Sequence, residues 1–288
     1  MKIIVLGGSG FIGLHVANAL MKANHTVKIF DIRKNKKIHR NINFYKGNIN
    51  KKKKLMLAMK NSDIVFNFAA LADIDVARNK PLETVYSNIA GTINILEACK
   101  KLKIKKIIHA SSIYANSKEG GYYAISKRSA EDYIEEFCKL NKLNFTILRF
   151  GSIYGKDADK NNGIQRILNH LVKKKALVYR GQRQASRKYI NVEDAAICCV
   201  KTINRKFNNK YLNITGKKTI KMIDLLNKLS KDFKVKRKIK FLNEKNTSHY
   251  NVTPTPYKIK KSSNLYIAKE KNFYSGIREL ISLEKGKI

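Results

Sequence analysis

Through the first half of the chain, short apolar runs alternate with apolar stripes at helical spacing. Residues 3–6 are a continuous apolar run, the pattern of a strand buried on both faces of a parallel sheet. Residues 10–21 place Phe11, Leu14 and Ala17 on one helical face. A second strand is expected at 27–30 and a weaker third at 42–45, then a short helix over 53–59 and a fourth strand at 64–68. A long helix over 82–99, a strand at 106–110, a helix over 123–140 and a strand at 145–150 complete the series. Strict alternation of this kind predicts an α/β fold, a doubly wound parallel sheet with right-handed crossovers.

Beyond Gly155 the pattern loosens. Helices are expected over 164–173, 192–203, 220–230 and 276–283, with short strands at 177–179, 188–190 and 211–214. Between them lie a basic stretch from Lys231 and a turn region at Pro254 and Pro256. This divides the chain into a nucleotide-binding part over 1–155, rejoined by segments near 188–214, and a smaller, mainly substrate-binding part over 156–288. No internal repeat or low-complexity linker interrupts it.

Composition changes little in this picture. The 288 residues can bury a substantial core, and 43% are hydrophobic. No apolar run is long enough to cross a bilayer, and the apolar N-terminus runs straight into glycines, so it reads as a strand and not a signal peptide. A cytoplasmic protein without membrane insertion is expected. The four cysteines, Cys99, Cys138, Cys198 and Cys199, show no Cys-x-x-Cys spacing, which favours buried reduced thiols over disulfides or a metal site. Charge is the unusual quantity: 60 Lys and Arg against 21 acids give +39. Nucleic-acid binding is one reading of such an excess. Yet lysine is spread along the whole chain, densest at 51–54, and Asn and Ile are abundant too, as a genome-wide codon bias would produce. A solvated cationic surface that helps attract an anionic substrate is therefore preferred.

The strongest local signal is Gly7-Gly8-Ser9-Gly10-Phe11-Ile12-Gly13, which follows a strand and opens a helix. Gly7, Gly10 and Gly13 permit a tight turn and a close backbone approach to a pyrophosphate at the helix N-terminus. Asp31 ends the second strand, where an acid would hydrogen-bond the adenosine ribose and repel a 2′-phosphate. That favours NAD as the cofactor, with the nearby Arg33 pulling toward NADP. The second constellation is Tyr123-Ala124-Ile125-Ser126-Lys127. At i and i+4 on a helix, the ammonium can lower the phenol pKa and also reach the nicotinamide ribose. Such a phenol can shuttle a proton while hydride moves to or from the nicotinamide. Ser111-Ser112 closes the preceding strand and sets a hydroxyl at the edge where ligands bind.

With these residues in view, the chain resembles the extended short-chain dehydrogenase/reductases of Rossmann fold, and within them the NAD-dependent nucleotide-sugar epimerases and dehydratases. The resemblance runs through Asn67-Phe68-Ala69-Ala70, similar to the family's His-x-Ala-Ala, and through residues 88–98, similar to N-x-x-G-T-x-N-x-L-E-A. It continues through 148–155, similar to L-R-x-x-N-x-Y-G, and 187–196, similar to R-D-[FY]-[IV]-H-V-x-D. It implies that Phe11, Ile12, Asp31, Asn48, Ile49, Phe68, Ala69, Ala70, Leu71 and Asn88 line the NAD site, together with Tyr123 and Lys127. It implies a catalytic set of Ser112, Tyr123 and Lys127, with Ser112, Ser152 and Arg187 facing a nucleotide-sugar substrate. Taken alone, Arg187 reads as one more surface cation and Asn88 as a helix cap. The resemblance also implies a homodimer built on the helices over 82–102 and 123–140, where Ile89, Ile93 and Leu96 would either pair with a second copy or cover the sheet.

Several positions depart from the family pattern. Asn48 stands where an adenine-binding Asp is usual, Asn67 replaces the His, Ser152 replaces an Asn, and only ten residues separate Ser112 from Tyr123. Ser112 is followed by Ile113 and Tyr114, so the carboxylates that a dehydratase uses to eliminate water are missing. The expectation is an NAD-dependent 4-epimerase without a metal. Net oxidation or reduction of a nucleotide sugar is the alternative, and a non-catalytic nucleic-acid-binding member of the fold a remote one. Tyr250 and Tyr257 are candidates for contacting the base.

Overall fold

Strand β1 (Lys2–Leu6) is apolar after its first residue and buries all four of those side chains, as a central strand covered on both faces must. It is followed by α1 (Phe11–Lys22), β2 (Thr26–Asp31), β3 (Asn43–Lys46), α2 (Lys52–Met59), β4 (Ile64–Asn67), α3 (Ile74–Asn79), α4 (Pro81–Thr84), α5 (Gly91–Lys101), β5 (Lys106–Ser112), α6 (Gly121–Asn141) and β6 (Asn144–Phe150). The second half adds β7 (Ser152–Tyr154), α7 (Gly163–Lys174), β8 (Val178–Arg180), β9 (Ser186–Asn191), α8 (Val192–Lys201), β10 (Lys210–Ile214), β11 (Thr219–Lys221), α9 (Met222–Asp232), β12 (Lys240–Leu242), β13 (Ser262–Asn264) and α10 (Phe273–Lys285). This computed structural model describes residues 1–236, 239–242, 252–253, 262–267 and 269–286; Tyr250, Pro254, Pro256 and Tyr257 lie outside the described residues.

Eight strands form one sheet in the order β13-β10-β6-β5-β4-β1-β2-β3. Every pairing in it is parallel, from Lys28↔Asn43 at one side to Tyr211↔Ser262 at the other. Strand order reverses between β1 and β4, the switch point at which doubly wound sheets bind ligands. One face buries Ile3, Val5, Phe66, Ile108 and Leu148 against Val16 and Leu20 of α1 and Ala195 and Cys199 of α8. The other buries Ile4, Leu6, Val65, Ile107 and Ile147 against Leu55, Leu96 and Ile134 from α2, α5 and α6. A separate core of Tyr154, Leu168, Tyr189, Leu225 and Ile277 joins α7, α9 and α10 to two small sheets, β11–β9–β7 and β12–β8. All four cysteines are free and buried, and burial pushes the Cys138 thiol up to about 12, which keeps it protonated. Among the described residues no helix is long and apolar enough to cross a membrane.

The helix expected over 82–99 runs unbroken from Pro81 to Lys101, but not with a single period. Residues Val85–Ala90 form a π-helical segment between α4 and α5. A π-turn carries one extra residue per turn and so re-aims the side chains within it, which no apolar period reveals. Asn88 lies in this segment and is buried; it caps no helix. Strands β7 and β11, of three residues each, escape the sequence pattern. Helix α9 starts two residues later than expected, because Thr219–Lys221 pairs with β9 instead.

Candidate functional site

At the switch point the glycine-rich turn leaves β1. Gly7 has φ +74°, and a Cβ on it would meet the Ala69 nitrogen at 2.5 Å, so only glycine fits there. A Cβ on Gly13 would sit 2.4 Å from the Gly7 carbonyl oxygen, so this glycine serves the packing of α1 on the turn. Gly10 is the N-cap of α1; no side chain caps that end and its first turn carries no acid. Its leading N–H groups are left for an external acceptor, and the positive end of the helix favours an anion. These features fit the pyrophosphate of a dinucleotide.

A cleft of about 710 Å³ opens beside the turn. Its lining brings together Gly7, Gly10, Asp31, Asn48, Ile49, Phe68, Ala69 and Ala70 of the expected cofactor set. Arg33, Lys34, Lys36 and Lys37 line it as well. The Asp31 carboxylate accepts from the backbone N–H of Ser9 at 3.0 Å, which ties the end of β2 to the glycine turn. Asn48 is exposed and Ile49 buried; a Cβ on Gly91 would meet Ile49 Cδ1 at 2.4 Å, so α5 packs directly on the Asn48–Ile49 turn. Asn94, which the sequence reading left without a role, donates to the Ile49 carbonyl at 3.4 Å and to the Asn50 side chain at 3.3 Å.

Asn88 holds the loop after β4. Its Oδ1 accepts from the Leu71 N–H at 2.8 Å, while Nδ2 donates to the Leu71 carbonyl at 3.0 Å and to Ser126 Oγ at 2.9 Å. With both amide hydrogens engaged inside the protein, its side chain aligns the loop and α6. Asn67, in place of the family's His, donates Nδ2–H to His109 Nδ1 at 3.0 Å and accepts from the Ala69 N–H at 3.1 Å. Burial, and then the charge of Lys127, hold the His109 pKa well below its ordinary value, so the imidazole is neutral.

Ser112, Tyr123 and Lys127 come together where β5 ends against α6. All three are buried, at 5%, 9% and 4% exposure. Lys127 Nζ donates to the Ala110 carbonyl at 2.9 Å and lies 5.8 Å from the centre of the Tyr123 ring. Burial brings the Lys127 pKa down to about 8, with the Glu131 carboxylate opposing the shift. Ser112 caps the 3₁₀ turn Ile113–Asn116 by accepting from the Tyr114 N–H at 3.2 Å. Tyr114 stands edge-on to Tyr123 with ring centres 6.2 Å apart, and Ile74, Ala77, Ile113 and Ala124 are buried in the same cluster. The short connection from Ser112 to Tyr123 closes through Gly120, whose φ of +94° lets the chain double back into α6.

A second cleft, of about 470 Å³, is lined by Phe11, Asp73, Asp75, Asp159, Arg166 and Arg180 among others. Ser152 and Arg187 line neither cleft; they sit half-buried on β7 and β9, where Ser152 is in register with Tyr189. Behind Ser112, Tyr123 and Lys127 lies a buried pair that the sequence reading missed. Arg149 donates to both carboxylate oxygens of Glu131, at 2.9 and 2.6 Å. Its signal was present, since Tyr123, Lys127 and Glu131 follow one another at i+4 on one helical face. Among the described residues no group of His, Cys, Asp and Glu could hold a metal ion.

Comparison with known proteins bears on the family and the fold. The family model described as "NAD dependent epimerase/dehydratase family" matches residues 3–215. A UDP-N-acetyl-alpha-D-glucosaminuronate decarboxylase of Bacillus cytotoxicus is 30% identical over 74% of this chain and 74% of its own. A UDP-glucuronate 4-epimerase of Thermodesulfobacterium geofontis is 25% identical over 83% of each chain. In fold, the chain matches the crystal structure of the UDP-glucose 4-epimerase of Thermotoga maritima with a TM-score of 0.84 at 22% identity, over 100% of this chain and 99% of that one.

Proposed function

Because the chain belongs to the NAD dependent epimerase/dehydratase family, we propose that it is a nucleotide-sugar 4-epimerase that keeps and recycles its NAD. The relatives' names span decarboxylation and epimerisation, so the choice of reaction rests on this chain's own residues. One observation carries it: Ile113 and Tyr114, directly after Ser112, are buried in the apolar cluster around Tyr123, and no carboxylate occupies those positions. Elimination of water needs a positioned acid and base there; moving one proton at a hydroxyl needs only Tyr123 and a partner.

Gly10, Phe11 and Ile12 would hold the pyrophosphate, Asp31 the adenosine ribose, Asn48 and Ile49 the adenine, and Phe68, Ala69, Ala70 and Leu71 the flank toward the nicotinamide. When bound, NAD supplies the acceptor and donor of hydride for C4 of the sugar. Tyr123 Oη takes the proton of the C4 hydroxyl as the carbon is oxidised, and returns it to that oxygen when the opposite face is reduced. Ser112 donates to the same oxygen. Lys127, anchored on the Ala110 carbonyl, stabilises the phenolate and reaches the nicotinamide ribose. Ser152 and Arg187 would face the diphosphate, and Arg166 and Arg180 give the second cleft two guanidinium groups suited to the same anion.

A homodimer accompanies this reading. Tyr122, Ile125 and Tyr133 on α6, and Leu82, Val85 and Tyr86 beside it, are exposed apolar side chains at helical spacing on elements that pack together. To test the function, the purified protein is incubated with NAD and a panel of UDP-, GDP- and dTDP-hexoses. The expected result is interconversion at C4 without net reduced cofactor. An unchanged panel sinks the proposal, and stoichiometric NADH would replace epimerisation with net oxidation.

A further inference from the structure

Glu131 is 2% exposed and Arg149 is fully buried, in a chain that carries only 21 acids. A buried ion pair is a poor source of stability, since apolar residues of similar volume usually serve as well. Its placement points elsewhere. Glu131 lies one turn beyond Lys127 on the buried face of α6. Besides the two bonds from Arg149 on β6, its Oε1 accepts from Ser111 Oγ at 2.5 Å, and Ser111 immediately precedes Ser112 on β5. Arg149 in turn stacks 4.6 Å from the centre of the Tyr211 ring on β10. One carboxylate thus ties together the helix that carries Tyr123 and Lys127 and the strand end that carries Ser112.

We propose that Glu131 is a positioning residue for the Tyr123–Lys127 pair: gripped by Arg149 and Ser111, it fixes the inner face of α6 against the ends of β5 and β6 and keeps a negative charge one turn behind Lys127. This rests on the reading of Tyr123 and Lys127 given above. Several groups bear on the Lys127 charge. His109 on β5 is neutral, Tyr123 and Glu131 come from its own helix, Arg149 reaches it through Glu131, and Tyr114 packs beyond Tyr123. The π-helical segment contributes Asn88, neutral, through its bond to Ser126. Glu131 is the negative charge in this set, so its removal favours the uncharged amine.

The test compares the parent, Glu131→Gln, Glu131→Gln/Arg149→Met and Ser111→Ala. Isothermal titration with NAD and nucleotide-sugar turnover are measured from pH 6 to pH 10 (about the span over which a buried lysine titrates). The single Glu131→Gln strands a buried guanidinium and is expected to fold poorly; the double variant removes both charges and keeps the fold. In the double variant the loss of Arg149 offsets part of the loss of the nearer Glu131, so the alkaline limb of NAD affinity is expected to move lower by less than about one pH unit, and kcat to fall about tenfold with KM unchanged. Ser111→Ala keeps both charges, so its limb stays in place while kcat falls. A folded double variant with parental limb and parental kcat overturns the proposal, as does a Ser111→Ala variant with parental kcat. If the parent turns over no sugar, the epimerase reading fails, and the NAD limb still reports on Glu131.

Discussion

In the proposed reaction Tyr123 moves the proton, and its surroundings make a sharp separation between binding and turnover possible. Its ring lies in an apolar cluster, so removing the hydroxyl leaves the packing intact. Tyr123→Phe is therefore expected to lower turnover by about 10²–10⁴-fold while NAD binding by calorimetry stays near parental; equal loss of both would point to a structural tyrosine. Much at this scale could be read from the sequence. The glycine turn, Asp31 and Tyr-x3-Lys each fall within a few consecutive residues on one element. Asn88, Asn94, Glu131 and Arg149 were harder, because their partners come from other strands or helices and spacing does not expose them. Asn88 in particular looks like a cap, whereas it lies within the π-helical segment and its amide spans Leu71 and Ser126.

At the scale of elements, alternating apolar runs and stripes gave away most of the large sheet, since each strand from β1 to β6 is flanked by a helix long enough to show its period. Strands β7 and β11 and the π-helical segment left no such trace. Helix ends show a different economy. Lys103, Lys142, Lys175 and Lys234 each adopt a positive φ just past a helix, a place that ordinarily selects glycine. At Lys142 φ is +51°, and its N–H closes α6 on the Cys138 carbonyl. Relief of left-handed strain should outweigh the added freedom of the unfolded chain. Lys142→Gly is expected to raise stability by about 0.5–1 kcal/mol, read as a higher urea midpoint; a lower midpoint would count against it.

For the molecule as a whole, the large positive charge and the apolar stripe on α6 pull in opposite directions. Like-charged copies repel, yet Tyr122, Ile125 and Tyr133 stay exposed on one helix. Sedimentation is expected to show a dimer that tightens as added salt screens the repulsion, and Tyr133→Glu should return it to monomers; a parent that is monomeric at every salt concentration would rule the dimer out. Sheet order has a consequence for synthesis on the ribosome. A nascent chain that has reached Phe150 holds β1 through β6, but β6 pairs on its far side with β10, which starts sixty positions later at Lys210. The outermost strand, β13, begins only at Ser262. Until β10 is made, a mostly apolar strand, Asn144–Phe150, offers an open edge to any neighbouring chain, and after that β10 does so until β13 follows. The strand ends that carry Ser112 and Arg149 are thus translated well before the segment that shields their flank.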